Sequence, residues 1–209
     1  MPTQATSRRD PSNTGKGIST HHGFTVIELM ISLAVLAIIT SLALPSYRNI
    51  MEKRLVTSGA EQLGAFLSSA QLESVKRNQF VAVNYQENSG AWCFGMRAGD
   101  SPAVNCDCTI SDATNTNSCA LDGALKVFDS SILSHPDALQ SADISGSDDT
   151  LVYDPVRGLT QNAETVKLEL LSDEGSYALD VDVTVTGRVK ICSNKDANKD
   201  VPGYKECST

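Results

Sequence analysis

The chain has 209 residues, a formal net charge of −8 and six cysteines. This length allows one soluble domain with its own core in addition to a separate helical segment. The acidic balance argues against a surface that is basic overall, so a nucleic-acid site would have to be local.

An apolar run near the N-terminus, from Phe24 to Leu44, is uncharged except for Glu28. As a helix it would span about 30 Å, the thickness of a bilayer's hydrocarbon core. Arg8, Arg9 and Lys16 precede the run, so the positive-inside rule predicts a cytoplasmic N-terminus and an exported C-terminal part. A simple membrane anchor is one interpretation. A cleaved secretory signal is another, although the run is longer than the usual apolar region of such signals and contains a carboxylate.

Glu28 indicates a third interpretation, because a carboxylate in a low-dielectric environment needs a compensating charge. Cleavage between Gly23 and Phe24 would create an ammonium group just before it. In a bundle of such helices, Glu28 of one subunit would face the amino terminus of a neighbour, and both charges would be neutralised. The carboxylate would then serve assembly.

The stretch "KGISTHHGFTVIELMISLAVLAIITSLALPSY" resembles the class III signal of type IV pilins and type II secretion pseudopilins. That signal has a glycine, then phenylalanine, a glutamate in the fifth position and a long apolar helix. The resemblance implies that a prepilin peptidase cuts after Gly23 and methylates Phe24, and that Glu28 is the assembly carboxylate. Residues 1–23 would be the leader peptide, and residues 24–45 the transmembrane and assembly helix.

The helix is predicted to continue beyond Pro45 as an amphipathic segment at 46–78. Proline removes a backbone donor and disfavours helical geometry at the residue before it, so a kink is expected there; the pilin resemblance implies local melting of the helix at this place. The sequence "KRN" at 76–78 is typical of a helix end. A face predicted to cover a sheet recurs at three- and four-residue spacing and contains Ile50, Arg54, Leu63, Phe66, Leu67 and Ala70.

After Asn78 the pattern changes to short β-branched or aromatic runs separated by turn residues. Strands are predicted in "FVAVNYQ", "AWCFGMR", "ALKVFDS", "LVYDP", "VKLELLS" and "YALDVDVTVTGRVKIC". The clearest strand alternates polar residues with apolar ones at Leu179, Val181, Val183 and Val185. The predicted fold class is therefore α+β, with the long helix packed on an antiparallel sheet in a β-rich domain at 79–209. Loops are expected to dominate 98–122 and 134–150.

The cysteines form an early group and a late pair, namely Cys93, Cys106, Cys108, Cys119, Cys192 and Cys207. Disulfides are favoured over a zinc site because the domain is predicted to be exported and no histidine lies near the early group. Sequence alone leaves the connectivity of that group open. Cys106 and Cys108 are each expected to pair elsewhere, with Cys93–Cys106 and Cys108–Cys119 as the working assignment. Cys192–Cys207 would pin the tail and contribute about 3 kcal/mol.

Two further stretches, "LVYDPVRGLT" and "VDVTVTGRVKIC", resemble the C-terminal half of the GspH/FimT group of minor pilins and pseudopilins. In that group a D-P-x-G-like turn precedes a strand, and a T-G-R stretch follows near the end of the chain. Here Arg157 is inserted in the turn. The matching positions are Asp154, Pro155, Gly158, Thr186, Gly187, Arg188, Lys190 and Cys192.

Enzymatic chemistry finds little support in this sequence. His135 is the one histidine outside the leader, and neither a nucleophile elbow nor a phosphate loop occurs. We therefore expect no catalytic residue, no metal site and no cofactor.

Three functions remain open. The resemblance implies a FimU-like minor type IV pilin of the initiation or tip complex, or the corresponding minor pseudopilin of a type II secretion system. The six cysteines and the long tail favour the pilus branch. A FimT-like DNA-binding pilin is the third, with Arg188 and Lys190 as candidate DNA-binding residues. DNA is not favoured as a partner, because the chain is acidic outside its tail and lysine replaces the arginine of the family at position 190. The expected partners are other pilins, the prepilin peptidase and the bacterial inner membrane, with the globular domain periplasmic before it joins an extracellular pilus.

Overall fold

The computed structural model describes residues 23–88, 90–133, 139–144, 149–161, 165–172, 175–195, 197 and 200–207. The chain divides into two compact units, Met1–Leu44 and Pro45–Thr209. The predicted leader, apart from Gly23, and His135 lie outside the described residues.

One helix, α1 (Val26–Arg77), carries both the apolar run and its predicted amphipathic continuation. It ends where the sequence indicated. Asn78 follows with a φ of 52°, the left-handed conformation that commonly terminates helices. Arg77 forms ion pairs with Glu73 and with Asp122. The guanidinium holds the pKa of Asp122 below its ordinary value, and so fastens the loop around Asp122 to the helix end.

The second half of α1 buries a stripe of small and branched side chains in the core. Val56, Ala60, Leu63, Leu67 and Ala70 recur every three or four residues and are at most 1% exposed. The predicted face is confirmed at its later positions.

The prediction that Ile50 and Arg54 belong to this buried face is wrong. Ile50 is 46% exposed, and Arg54 is also exposed. The stripe enters the core through Val56, and the residue one turn before it on the same face is Glu52. Because a charged residue is not expected in a core, the sequence pattern did not include Glu52 and assigned the start of the stripe to the wrong helix face.

Gly59 lets the helix approach the sheet closely. A Cβ atom at this position would lie 3.0 Å from Cδ2 of Leu170 and 3.3 Å from Cδ2 of Leu133. Those separations are tighter than ordinary van der Waals contact, so the helical weakness of glycine is offset by closer packing.

The rest of the domain consists of antiparallel strands. They are β1 (Phe80–Asn88), β2 (Ala91–Gly99), β3 (Ala120–Leu121), β4 (Ala124–Leu125), β5 (Val127–Asp129), β6 (Leu139–Ile144), β7 (Thr150–Tyr153), β8 (Thr165–Leu171), β9 (Ala178–Thr184) and β10 (Val189–Ser193). The strand orders are β5-β2-β1-β7 in one sheet and β10-β9-β8-β6 in a second, with β3 and β4 pairing as a small hairpin. The α+β class is confirmed, with two main sheets where one was expected.

Both sheets and the second half of α1 share one apolar core. From the first sheet, Phe94 and Tyr153 are fully buried, and from the second, Leu168 and Val181 are as well. The alternation along β9 is as predicted as far as Val183. The prediction that Val185 continues the buried side of this strand is wrong, because Val185 lies in the turn before β10 and is 51% exposed.

Segment 134–150 was expected to be loop-rich, yet residues 139–144 form β6. This strand pairs with β8, with a register shift between Leu139 and Ser141. Its sequence, "LQSADI", alternates too weakly to indicate a strand, so pairing with β8 decides its conformation.

Three disulfides cross-link the domain: Cys93–Cys108, Cys106–Cys119 and Cys192–Cys207. The predicted late pair is confirmed, whereas the working assignment within the early group is wrong. The Asp107 N–H donates to the carbonyl oxygen of Asn117 at 2.8 Å, which sets Cys106 beside Cys119 and leaves Cys108 facing β2. Backbone pairing, rather than spacing, selects the partners.

The tail returns to the helix after the Cys192–Cys207 bridge. The Tyr204 hydroxyl donates to Oε1 of Glu61 at 2.7 Å. Burial is the main cause that raises the pKa of Tyr204 to about 12, and this hydrogen bond is the second cause. The tail is therefore fixed both to β10 and to α1.

Candidate functional site

Gly23 and Phe24 lie before α1, separated from its first residue, Val26, by Thr25, and Phe24 is 81% exposed. Thr25 caps the helix: its Oγ1 accepts a hydrogen bond from the N–H of Glu28 at 3.3 Å. Glu28 thus lies in the first turn, where a negative charge interacts favourably with the helix dipole. Sequence reasoning missed this cap, although Thr25 and Glu28 have the spacing of a capping box.

The first half of α1 exposes its large apolar side chains. From Val26 to Ile39, the large apolar side chains are between 49% and 79% exposed. The hydroxyl groups of Ser32, Thr40 and Ser41 donate to backbone carbonyl oxygens of α1 itself, so these side chains do not depend on water for a hydrogen bond. This arrangement suits an apolar environment.

Across the residues that the structure describes, no helix combines the length and apolar character required to cross a bilayer.

The α-helix is continuous across Pro45. The side chains of residues 42–46 lie outside the described part, so the predicted kink stays a prediction.

The two motif turns of the C-terminal half are each built around one residue. Oδ1 of Asp154 accepts hydrogen bonds from the N–H groups of Val156 at 2.8 Å and Arg157 at 3.0 Å, and its Oδ2 accepts from the Gln161 amide. The backbone donors, first Arg157 and then Val156, hold the pKa of Asp154 below its ordinary value. In the other turn, Gly187 has a φ of 75°, which favours glycine.

Gln71 of α1 joins these two turns. Its Nε2 donates to the carbonyl oxygen of Gly158 at 2.8 Å and lies 3.4 Å from that of Thr186. Any Cβ at Gly187 would collide with the Gly158 oxygen and the Gln71 amide. The Asp154 turn, the Gly187 turn and the helix therefore form one junction. No pattern in the sequence singled out Gln71, because its role depends on tertiary contacts.

The candidate DNA-binding residues have different surroundings. Arg188 is exposed in the turn after β9, at the junction. Lys190 is exposed on β10 but lies opposite Asp182 in the strand register. A carboxylate neighbour reduces what this lysine can offer a phosphate. Arg157, inserted in the Asp154 turn, is a third exposed cation near the junction.

Comparison with known proteins agrees with these features. The family model described as "Type II transport protein GspH" matches residues 59–187, and the one described as "Prokaryotic N-terminal methylation motif" matches residues 18–44. Among solved structures, the crystal structure of the type IV minor pilin FimU of Pseudomonas aeruginosa is similar over 72% of this chain and 99% of that chain, with a TM-score of 0.39 and 13% identity. No curated protein matches the chain.

A methylation motif followed by a long helix, the second half of which packs on antiparallel strands, defines a protein of the pilin class. Within that class the chain belongs to the GspH family, whose model spans most of it. The predicted family is confirmed. Proteins of this family are structural subunits of pilin-like assemblies.

Proposed function

We propose that this protein is a minor subunit of a type IV pilus, inserted in the inner membrane through the first half of α1 and then incorporated into the filament. One observation carries the proposal: the methylation motif at residues 18–44 contains a helix half with exposed apolar side chains. Among the described residues these side chains are exposed, and they suit a bundle of equivalent helices.

Processing by a prepilin peptidase is part of this proposal. Cleavage after Gly23 would leave Phe24 as a methylated amino terminus and would remove the residues before it. Thr25 and Glu28 would then lie within the first turn after the new terminus. Glu28 would pair with the amino terminus of a neighbouring subunit, as the charge argument requires.

The pilus is proposed ahead of a type II secretion pseudopilus. Two of the three disulfides staple the segment before β3, and the third fixes the tail, which suits a subunit exposed outside the cell. A place in the initiation or tip complex is proposed because the family resemblance is to FimU-like minor pilins. The role is structural, with no catalytic step.

The first test concerns processing. Mass spectrometry of the protein isolated from cell envelopes is expected to find an N-terminus at Phe24 carrying one added methyl group. A chain that still begins upstream of Phe24 would contradict the proposal.

The second test concerns the assembly carboxylate. Glu28→Ala is expected to reduce the protein in sheared pili to background, with normal processing, since an unpaired ammonium would remain in the helix bundle. Thr40→Ala, on the same helix half, keeps the charge and is the control. Immunoblots of sheared pili and envelopes provide the measurement, and normal incorporation of Glu28→Ala would refute the charge pairing.

DNA binding is the less supported function. Arg188 and Arg157 are accessible, but Lys190 lies opposite Asp182 and the chain as a whole is acidic. A titration of the full chain with duplex DNA over a salt series separates the two functions. The pilus proposal expects weak binding that Arg188→Ala and Lys190→Ala leave unchanged.

A further inference from the structure

The junction of the two motif turns presents a mixed surface of aliphatic and cationic side chains. We call it the turn surface and define it by Val75, Val156, Arg157, Val185 and Arg188. Its aliphatic members Val75, Val156 and Val185 are 52%, 77% and 51% exposed. Single exposed aliphatic residues are ordinary, but a group of them gathered from three separate elements is typical of an interaction site.

Contacts beneath the surface hold these elements together. Gln71 donates to Gly158, and Cγ2 of Val75 would lie 3.5 Å from a Cβ at Gly158, next to Arg157. Thr160 donates its N–H to the carbonyl oxygen of Val185 at 3.0 Å. The helix end and both turns are therefore fixed relative to one another, so the surface is preorganised.

The polar groups of these turns are satisfied inside the subunit. The Gly158 carbonyl oxygen accepts a hydrogen bond from Gln71, and the Val185 carbonyl oxygen accepts one from the N–H of Thr160. Both carboxylate oxygens of Asp154 accept hydrogen bonds within its own turn. Within the described chain, the guanidinium groups of Arg157 and Arg188 form no hydrogen bond or ion pair, although the charge of Arg157 contributes to the lowered pKa of Asp154. The outward-facing side chains are thus aliphatic groups beside exposed cations.

This composition selects the chemistry of the occupant. Aliphatic side chains cannot donate hydrogen bonds to phosphates, and the residues of the turn surface include no aromatic ring on which a base could stack. Nucleic acid is therefore disfavoured as the partner. A symmetrical contact with a second copy would bring like-charged arginines together. A protein surface with apolar side chains beside carboxylates would bury the aliphatic groups and pair both cations.

We propose that the turn surface docks a different subunit of the same filament, one that presents apolar side chains flanked by carboxylates. The inference rests on the proposed function, since it assumes that the protein is incorporated into a filament. It adds the place of contact and the chemistry of the neighbour.

Photo-crosslinking in the cells that produce the filament tests the inference. The photoreactive benzoylphenylalanine replaces Val156 in the full chain, and irradiation links it to whatever it contacts. The matched control position is Leu125, which is 37% exposed and is followed by Lys126 as Val156 is followed by Arg157. We expect position 156 to give an adduct with another pilus subunit, joined through a peptide that contains carboxylates, and position 125 to give about tenfold less.

Charge reversal sharpens the result. Arg157→Glu with Arg188→Glu is expected to lower both the adduct and the amount of protein in sheared pili about tenfold, whereas Lys126→Glu changes neither. Replacing the partner's crosslinked carboxylate with lysine is expected to restore both in the charge-reversed strain. Circular dichroism melting of the reversed variant checks that it folds, and a folded variant is expected because neither guanidinium forms a hydrogen bond or ion pair among the described residues.

Four results would overturn the inference: an absent adduct at position 156, an adduct with lipid or DNA, an adduct with a second copy of this chain, or full incorporation of the charge-reversed variant. With the unmodified protein present in sheared pili, these results reject the turn surface and leave the proposed function standing. Absence of the unmodified protein from pili would instead reject the proposed function.

Discussion

The two halves of α1 treat their apolar side chains in opposite ways. Up to Ile39 the large residues face outward, whereas from Val56 to Ala70 smaller ones are buried against two sheets. Both halves are helical, so helix formation does not distinguish them. The second half obtains its stabilisation within the subunit, whereas the first half leaves its large apolar side chains exposed.

The largest difference is expected from matched leucine truncations. Leu67→Ala should lower the free energy of unfolding by about 2–5 kcal/mol, because Leu67 is 1% exposed and its loss leaves a cavity. Leu36→Ala, at a position that is 57% exposed, should change it by less than about 0.5 kcal/mol. Denaturant unfolding of the full chain in detergent micelles compares the two. Equal effects would break the contrast between the halves.

Enlarging a small residue should give the next largest effect. Gly59→Leu would force a side chain against Leu170 and Leu133, and should cost about 1–3 kcal/mol through overpacking. Ala37→Leu on the exposed half is the control and should be near neutral. Thermal melts followed by circular dichroism give the comparison. A stabilising Gly59→Leu would show that the helix does not approach the sheet this closely.

Gln71→Ala should cost about 1 kcal/mol, because the carbonyl of Gly158 loses its donor. Gln62→Ala removes an amide that bonds only an exposed serine hydroxyl, and so should have a smaller effect. Amide hydrogen exchange around Gly158 and Gly187 should speed up only in Gln71→Ala. Unchanged exchange there would mean that the turns are held by other contacts.

The smallest effect concerns pH and is confined to the packed half. Backbone hydrogen bonds depress the pKa of Asp154 in the folded state. The stabilisation they give is therefore present above the unfolded pKa of about 4 and is lost as the pH falls through the folded value. The protection factors of the Val156 and Arg157 amides, which correct for the intrinsic pH dependence of exchange, should therefore fall at acid pH. Asp154→Asn keeps an acceptor oxygen without the charge and should remove this dependence. An identical pH profile for Asp154→Asn would exclude the carboxylate as its origin.

Local chemistry made part of this molecule predictable. The helix end at Arg77, the alternation along β9 and the bridge Cys192–Cys207 each follow from residues that are close in sequence. The phase of the buried stripe at Glu52, the pairing of the early cysteines and the strand at 139–144 do not, since each depends on a partner far along the chain.

The candidate site divides in the same way. The residues at Gly23, Phe24 and Glu28 and both motif turns were apparent from the sequence. That Gln71 joins the turns, and that Arg157 and Arg188 flank one aliphatic surface, depends on how α1 lies across the ends of the strands. A resemblance confined to motifs identifies the turns without showing that they meet.

The tail has a mechanical consequence. Because Cys207 is bonded to Cys192 on β10 and the Tyr204 hydroxyl donates to Glu61 on α1, the tail connects β10 to the packed half of the helix. A pull along α1 would then load β10 through the tail as well as through the core.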